Sequence, residues 1–241
     1  MSENLENPKN SLVLFEIEKN LEYLVNLIEI DKFPKVLMLS GTKGEGKFTL
    51  INHFLSYFFD KDNYELKKRK ININSNFYKQ YLNNTFPNIY YLSGEIYNNV
   101  KIDNIRDLKS SILKTSILNK KRFIVLDDVE QFNINCLNAL LKIIEEPTKN
   151  NYFILINNKT KPLIETIHSR SLEIRLKLNN QSKKKIISSL IQHYNINATP
   201  DLDLLDLTPG NFIRFNKICI ENSINIKDNI LKNLEIIFEK F

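Results

Sequence analysis

Apolar residues along the first 180 positions follow two spacings, one typical of helices and one typical of buried strands. Apolar positions three and four residues apart predict helices over residues 12–30, 47–59, 102–118 and 133–145. Short continuous apolar runs predict buried strands over residues 36–39, 89–92, 123–126 and 152–156. This alternation predicts an α/β fold with a doubly wound parallel sheet, whose ligand crevice lies beyond the carboxyl ends of its strands.

The strand signals cease after about residue 176, and only helical spacing follows. It predicts helices over residues 183–194, 202–207, 211–223 and 228–241. We therefore predict an α/β domain over residues 1–178 and a small helical domain over residues 179–226. Inside the first domain, residues 60–84 are polar and rich in Lys and Asn, and we expect a loop or a ragged helix there.

Composition is that of a soluble globular protein, with 42% hydrophobic and 26% charged residues. No apolar run approaches the roughly 18 residues that a membrane span needs, and the first ten residues lack the pattern of a secretory signal. Cys136 and Cys219 are the only cysteines, too few for a disulfide framework or a four-cysteine metal site. We therefore expect a cytoplasmic protein with no membrane partner.

The net charge of +6 raises the question of nucleic-acid binding. The chain holds 34 Asn, as many as Lys and Arg together, with abundant Ile, which suggests drift toward AT-rich codons. On that hypothesis many lysines are compositional. We expect the basic clusters at residues 67–70 and 183–185 to be solvated faces, and direct contact with DNA stays an open alternative.

Residues 41–47 read GTKGEGK and match the spacing G-x-x-x-x-G-K of a phosphate loop. The match lies between a predicted strand and a predicted helix, as such a loop requires. Glycines let the backbone amides turn inward, the helix N-terminus adds positive partial charge, and the lysine reaches the outer phosphates. The alternative is a glycine-rich turn that binds nothing. The candidate phosphate-binding residues are Gly41, Gly44, Gly46 and Lys47.

Two departures from a hydrolysing site accompany this loop. The position after Lys47 should carry a Ser or Thr whose hydroxyl ligates magnesium, and it is Phe48. The predicted strand at residues 123–126 ends in Asp127 and Asp128, where hydrolysing relatives commonly carry Asp and then Glu. Asp127 would support a metal, but the shorter Asp128 would hold its carboxylate about one methylene further back. We therefore predict a site that does not hydrolyse ATP.

Several short stretches carry a family resemblance. Residues 138–142 read NALLK, residues 145–147 read EEP and residues 169–171 read SRS. With the intervening strand, they resemble the clamp-loader branch of AAA+ proteins, in particular the delta-prime and gamma/tau subunits of bacterial DNA polymerase III. The likeness covers about residues 11–178 and is weaker at residues 208–211, which read TPGN. Its further motifs are FPK at 33–35, the phosphate loop, FPN at 86–88 and IDNIR at 102–106.

The resemblance implies roles for individual residues. In this family the arginine of a Ser-Arg-Cys motif reaches into the ATP site of a neighbouring subunit, so Arg170 would act in trans; its alternative is an ordinary surface salt bridge. Asn157 or Asn158 would be the polar sensor at the end of a strand, and Arg214 a sensor in the lid. Many relatives carry a four-cysteine zinc module where residues 60–84 stand, and we expect no zinc because cysteine is absent there.

The function implied is that of a delta-prime subunit in the polymerase III holoenzyme, a DNA-directed DNA polymerase and nucleotidyltransferase. Its partners would be the gamma/tau and delta subunits and the sliding clamp, with primed DNA contacted through the assembled complex. No cofactor would be required, and residual binding of ATP or ADP stays an open alternative. Residues 227–241 would begin a truncated or reduced collar domain. The alternatives are a gamma/tau-like ATPase and an interaction or DNA-binding module without nucleotide chemistry.

Overall fold

A five-stranded parallel sheet forms the centre of the computed structural model, which describes residues 5–94, 102–113, 121–199 and 206–224. The strand order is β2-β3-β4-β1-β5, and every neighbouring pair is parallel. The carboxyl ends of β1, β4 and β3 therefore lie side by side at one edge of the sheet. The strands are β1 Val36–Ser40, β2 Ile89–Ser93, β3 Arg122–Asp127, β4 Asn151–Asn157 and β5 Leu172–Arg175.

Eight α-helices in the described residues surround this sheet. Side-chain caps begin several of them: Asn133 accepts a hydrogen bond from the Cys136 amide, and Asn179 accepts one from the Ser182 amide. The helices are α1 Glu18–Glu29, α2 Lys47–Phe59, α3 Asn76–Leu82, α4 Ile102–Leu113, α5 Ile134–Ile144, α6 Glu165–His168, α7 Asn180–Tyr194 and α8 Pro209–Glu221.

Hydrophobic residues cover both faces of the sheet. Successive side chains of a strand point to opposite faces, so Leu37 and Leu39 pack in a cluster with α1 and α2. Val36 and Met38 pack in a second cluster with α4 and α5. Burial on both faces explains why these strands read as continuous apolar runs in the sequence.

The four predicted strands and the helix over residues 47–59 are confirmed. The fifth strand, Leu172–Arg175, and the four-residue helix before it were not predicted. Strand β5 lies at the edge of the sheet, and Leu172 and Arg175 at its ends are exposed. A short, half-exposed edge strand has no apolar run to reveal it.

The predicted helix over residues 12–30 is wrong in its first third, because α1 begins only at Glu18. Residues 12–17 instead form an N-terminal segment alongside residues 69–71. The Leu14 amide donates to the carbonyl oxygen of Arg69, and the Ile71 amide donates to that of Leu12. Leu14 belongs to the helical stripe that continues through Ile17, but it also lies two residues from buried Leu12, as in an extended chain, so the sequence pattern was ambiguous.

The segment of residues 60–84 is a loop that contains one short, well-capped helix. The Ser75 hydroxyl accepts a hydrogen bond from the Tyr78 amide at the start of α3. Phe77, Tyr78 and Tyr81 are buried in the core against α2. The polar composition of the segment concealed these three aromatic residues, whose burial holds the segment against the core of the domain.

Toward the C-terminus, helices α7 and α8 confirm two of the four predictions. Helix α8 begins with Pro209, two residues earlier than predicted, because proline suits the first helical position. Residues 202–205, the end of the predicted helix 102–118, the predicted helix 228–241 and the predicted collar start at 227–241 lie outside the described residues. The domain boundary at 178/179 stays a prediction.

Both basic clusters pair partly with acids of the same chain. Arg69 lies 3.6 Å from Glu18, and Lys183 lies 3.0 Å from Asp206. Across the described ranges, no helix is both long and apolar enough to cross a membrane.

Candidate functional site

The loop after β1 has the backbone geometry of a phosphate-binding loop. Gly44 and Gly46 adopt φ values of 87° and 92°, in the left-handed region that favours glycine. Gly46 is the N-cap of α2 and Lys47 its first residue, so the loop lies at the positive end of a 13-residue helix. The predicted residues, with Gly41 at the start of the loop, are therefore together in the expected arrangement.

The side chain of Lys47 is buried against its own loop. Its Nζ donates to the carbonyl oxygens of Gly41 and Thr42, each at 2.7 Å. Burial lowers the pKa of Lys47 to about 8. A phosphate in this loop would compete with these two carbonyl groups for the ammonium group.

Two carboxylates end β3 beside the loop. The Tyr91 hydroxyl donates to Asp127 Oδ2 at 3.2 Å, and the Asp128 amide donates to Asp127 Oδ1 at 2.9 Å. Desolvation by burial, reinforced by the charge of Asp128, raises the pKa of Asp127 to about 7. Both effects favour the neutral form of the Asp127 carboxyl group in the absence of a cation.

An aromatic pair lies between the loop and these acids. The rings of Phe48 and Tyr91 meet edge to face at a centroid distance of 5.1 Å, and Phe48 is buried. Magnesium demands an octahedral shell of oxygen ligands, which neither ring supplies. The loop backbone thus has the geometry for a phosphate group, whereas Phe48 supplies no oxygen ligand for magnesium.

Of the two candidate sensors at the end of β4, Asn158 is the one that contacts an acid of the site. Asn158 Nδ2 donates to Asp128 Oδ1 at 2.8 Å. The buried side chain of Asn157 instead accepts the Lys159 amide at 2.9 Å and holds the turn after the strand. The two adjacent asparagines look alike in the sequence. Their different contacts arise because Asn157 is the last residue of β4 and Asn158 is the first residue after it.

These groups line a cleft of about 520 Å³ between the sheet edge, the N-terminal segment and α8. Its volume lies within the range of about 300–1,000 Å³ that is usual for small-molecule sites. Arg214 of α8 is exposed and lines the same cleft, whereas Arg170 is not among its lining residues. The lining residues include Lys43, Lys47, Phe48, Tyr91, Asp128 and Arg214.

The N-terminus of α8 rests directly on the phosphate loop. Thr208 Oγ1 donates to the Lys43 carbonyl oxygen at 2.8 Å, and the Gly210 amide donates to the Gly44 carbonyl oxygen at 2.9 Å. A Cβ added at Gly210 would lie 2.8 Å from the Gly44 Cα, so the contact requires glycine. The loop is thereby covered by the end of the helical region.

Glu45 is a site residue that the sequence motif did not reveal, because it occupies a variable position of the loop. Its carboxylate accepts the Thr42 amide at 2.9 Å and the Leu178 amide at 3.2 Å. It therefore ties the loop to the connection that leads into α7. Tyr91 was also missed, because no local signal distinguishes it from an ordinary strand residue. Thr208 lies in the weakly matching stretch 208–211, to which no role was assigned.

Arg170 lies apart from the cleft, after α6. Its Nη2 lies 2.7 Å from Glu145 Oε1, and its Nη1 donates to the Thr166 carbonyl oxygen at 3.0 Å. The side chain remains 36% exposed. The surface salt bridge considered as an alternative is therefore present, and the exposed part of the side chain is available to another molecule.

The parallel sheet, the phosphate loop on β1 and the acidic end of β3 define a P-loop α/β protein of the AAA+ class. The fold resembles that of the Thermotoga maritima RuvB Holliday junction branch migration motor, with a TM-score of 0.51 and 17% identity. That alignment covers 94% of this chain and 70% of RuvB, and at this identity it shows the fold alone. The chain belongs to the family described as "DNA polymerase III, delta subunit", whose profile matches residues 17–180.

Individual relatives point to the delta-prime branch of that family. The DNA polymerase III subunit delta' of Buchnera aphidicola subsp. Schizaphis graminum is 28% identical over 236 residues, covering 92% of this chain and 70% of the relative. That of Pseudomonas aeruginosa is 34% identical over 74 residues, covering 31% of this chain and 23% of the relative. The Buchnera gamma subunit is 32% identical over 90 residues, covering 37% and 24%. The chain is thus a delta-prime-like clamp-loader protein, although several of these matches span less than half of the relative.

Proposed function

We propose that this chain is a non-hydrolysing clamp-loader subunit that presents Arg170 to the ATP site of a neighbouring gamma/tau subunit. Its role would be in loading the sliding clamp onto primed DNA during replication. The observation that carries the proposal is the pair of contacts that links Phe48 through Tyr91 to Asp127. Phe48 stands at the position of the expected magnesium-binding hydroxyl, and Asp127 is the acid expected to support the metal. Hydrolysis of ATP in clamp loaders depends on a metal ion that bridges the phosphates.

The position of Arg170 supports the second half of the proposal. Its exposed guanidinium lies outside the chain's own cleft, so a role in ATP chemistry requires a second subunit. A guanidinium placed in a neighbouring site stabilises the negative charge of the phosphoryl group during its transfer. Ser171 stands where the family usually has Cys; its hydroxyl donates to the carbonyl oxygen of Ile167 at 3.0 Å and helps to close the turn.

The partners follow from the family and the names of the relatives. The delta' and gamma matches support assembly with other subunits of the DNA polymerase III clamp loader. We propose gamma/tau and delta as the direct neighbours, with the sliding clamp and primed DNA contacted by the assembled complex. The loop geometry is compatible with bound ATP or ADP as a structural ligand, without turnover.

The test is a clamp loader reconstituted from this chain and its own gamma/tau and delta subunits. We expect Arg170→Ala to lower the ATPase rate stimulated by clamp and primed DNA by at least about tenfold, because an arginine finger contributes up to about 10³–10⁵ in kcat. Arg175→Ala is the matched control, since Arg175 is an exposed arginine on the adjacent strand that pairs with Glu173. Equal rates for the Arg170 variant and wild type would refute the proposed role.

A gamma/tau-like ATPase is the second candidate, favoured by the intact loop and the retained Lys47. It predicts that the purified chain turns over ATP with magnesium and that Lys47→Ala abolishes this activity. We expect no turnover above background. We also expect Lys47→Ala, unlike Arg170→Ala, to leave the ATPase of the reconstituted complex at the wild-type rate.

A further inference from the structure

The ion pair between Arg170 and Glu145 joins two motifs that are 25 residues apart in sequence. Glu145 is the C-cap of α5, and its amide donates to the Leu141 carbonyl oxygen at 2.9 Å. Its side chain therefore projects from a fixed backbone position. The C-terminal end of α5 also carries negative partial charge, which attracts a guanidinium held there.

The remaining contacts of Arg170 leave part of its guanidinium available. Nη2 pairs with Glu145, while Nη1 donates to the Thr166 carbonyl oxygen and lies 3.3 Å from Ser169 Oγ. A guanidinium has five N–H donors in a rigid fork. Within the described part of the chain these contacts occupy three donors, so two remain for a ligand outside the subunit.

We propose that Glu145 is the positioning residue for Arg170: it holds one edge of the guanidinium so that the other edge faces the neighbouring ATP. This inference rests on the proposed function, and it adds a role for the first glutamate of the Glu145-Glu146-Pro147 sequence. A free arginine side chain samples many rotamers, and ordering it during the reaction costs entropy. Glu145 removes part of that cost before the subunits meet.

The same contact has an opposite interpretation, in which Glu145 holds Arg170 away from the phosphate until assembly. The two differ in the sign of the effect. If Glu145 positions the arginine, its removal lowers kcat in the reconstituted complex; if it withholds the arginine, its removal raises kcat. Within the described residues two N–H donors of Arg170 make no contact, which favours positioning because the ion pair and the ligand can be engaged together.

The experiment uses the reconstituted clamp loader and follows its ATPase with saturating clamp and primed DNA. We expect Glu145→Ala to lower kcat by about tenfold through misplacement of the guanidinium, with KM for ATP and complex assembly unchanged. Glu145→Gln should recover part of the rate, because the amide oxygen still accepts a hydrogen bond from Arg170. Glu146→Ala is the matched control, an adjacent exposed glutamate.

A double-variant comparison separates positioning from a general structural effect. Because Glu145 acts through Arg170, the Glu145→Ala/Arg170→Ala variant should have the same rate as Arg170→Ala alone. Thermal unfolding of the isolated Glu145→Ala chain should match wild type. Additive losses, a raised kcat or a wild-type rate for Glu145→Ala would each overturn the inference while leaving the role of Arg170 intact. A wild-type rate for Arg170→Ala would overturn both proposals.

Discussion

The ring of Phe48 meets the ring of Tyr91 edge to face at 5.1 Å, and the hydroxyl of Tyr91 donates to Asp127. The residue that replaces the magnesium-binding hydroxyl is thus connected to the acid that would support the same metal. Phe48, the first departure seen in the sequence, is therefore linked to Asp127, the residue that precedes the second departure, Asp128. We therefore expect that a single substitution at Phe48 does not give the site magnesium-dependent activity.

Phe48→Thr returns the missing hydroxyl but removes a buried ring. We expect the free energy of unfolding to fall by about 3 kcal/mol, in line with large-to-small changes at buried aromatic positions. Phe48→Leu, which keeps an apolar side chain, should cost about 1 kcal/mol. Denaturant titration of the purified chains measures both values. The threonine variant should still show no magnesium-dependent ATPase, because Tyr91 continues to bind Asp127; turnover in this variant would contradict that explanation.

Asp127 makes stability depend on pH. Its pKa is raised from 3.8 to about 7 in the folded chain, so the folded state binds more protons than the unfolded state between these pH values. Stability attributable to Asp127 therefore falls as pH rises through this window. The free energy of unfolding of Asp127→Asn minus that of wild type should be about 2 kcal/mol larger at pH 8 than at pH 5. Urea unfolding at both pH values tests this, with exposed Asp107→Asn as a surface control. An equal difference at the two pH values would show that burial does not disfavour the charged form of Asp127.

Thr208 anchors α8 on the phosphate loop through its hydroxyl. Thr208→Val keeps the shape but leaves the Lys43 carbonyl without this donor, and we expect a loss of about 1–2 kcal/mol. Thr208→Ser keeps the hydroxyl and should retain most of the stability. Hydrogen exchange at the Gly210 amide should accelerate in the valine variant alone. Identical exchange in both variants would mean that the hydroxyl does not hold the helix on the loop.

Lys9 is buried beside the cleft, where its Nζ donates to the Tyr81 carbonyl oxygen at 2.9 Å. Desolvation lowers its pKa from 10.5 to about 8, so the unfolded state binds more protons between pH 8 and 10.5. Stability attributable to Lys9 therefore rises with pH in that window. The free energy of unfolding of Lys9→Met relative to wild type should fall by about 2 kcal/mol from pH 7 to pH 10. Exposed Lys19→Met is the control, and the same trend in both variants would refute burial as the cause.

Several elements were predictable because their signals are local. Helix α2 was predicted over its full length, since a glycine-rich loop begins it and apolar residues continue to Phe59. The strands that bury both faces were recognised from continuous apolar runs. Residues 12–17 were misassigned, because Leu14 fits both the helical stripe and a two-residue spacing with Leu12, and only the pairing with residues 69–71 selects the extended form.

The sequence specifies the alternating α/β order, the phosphate loop with Phe48 and the family motif around Arg170, because these depend on residue type and short spacing. Folding alone places Tyr91 against Asp127 across neighbouring strands, Thr208 on Lys43 across 165 positions and Arg170 on Glu145. Such contacts depend on strand order and helix docking, which bring distant residues together. The hydrophobic periodicity of the sequence does not report them. The chemistry of the site, including the raised pKa of the Asp127 carboxyl group, arises from the burial and the contacts that folding creates.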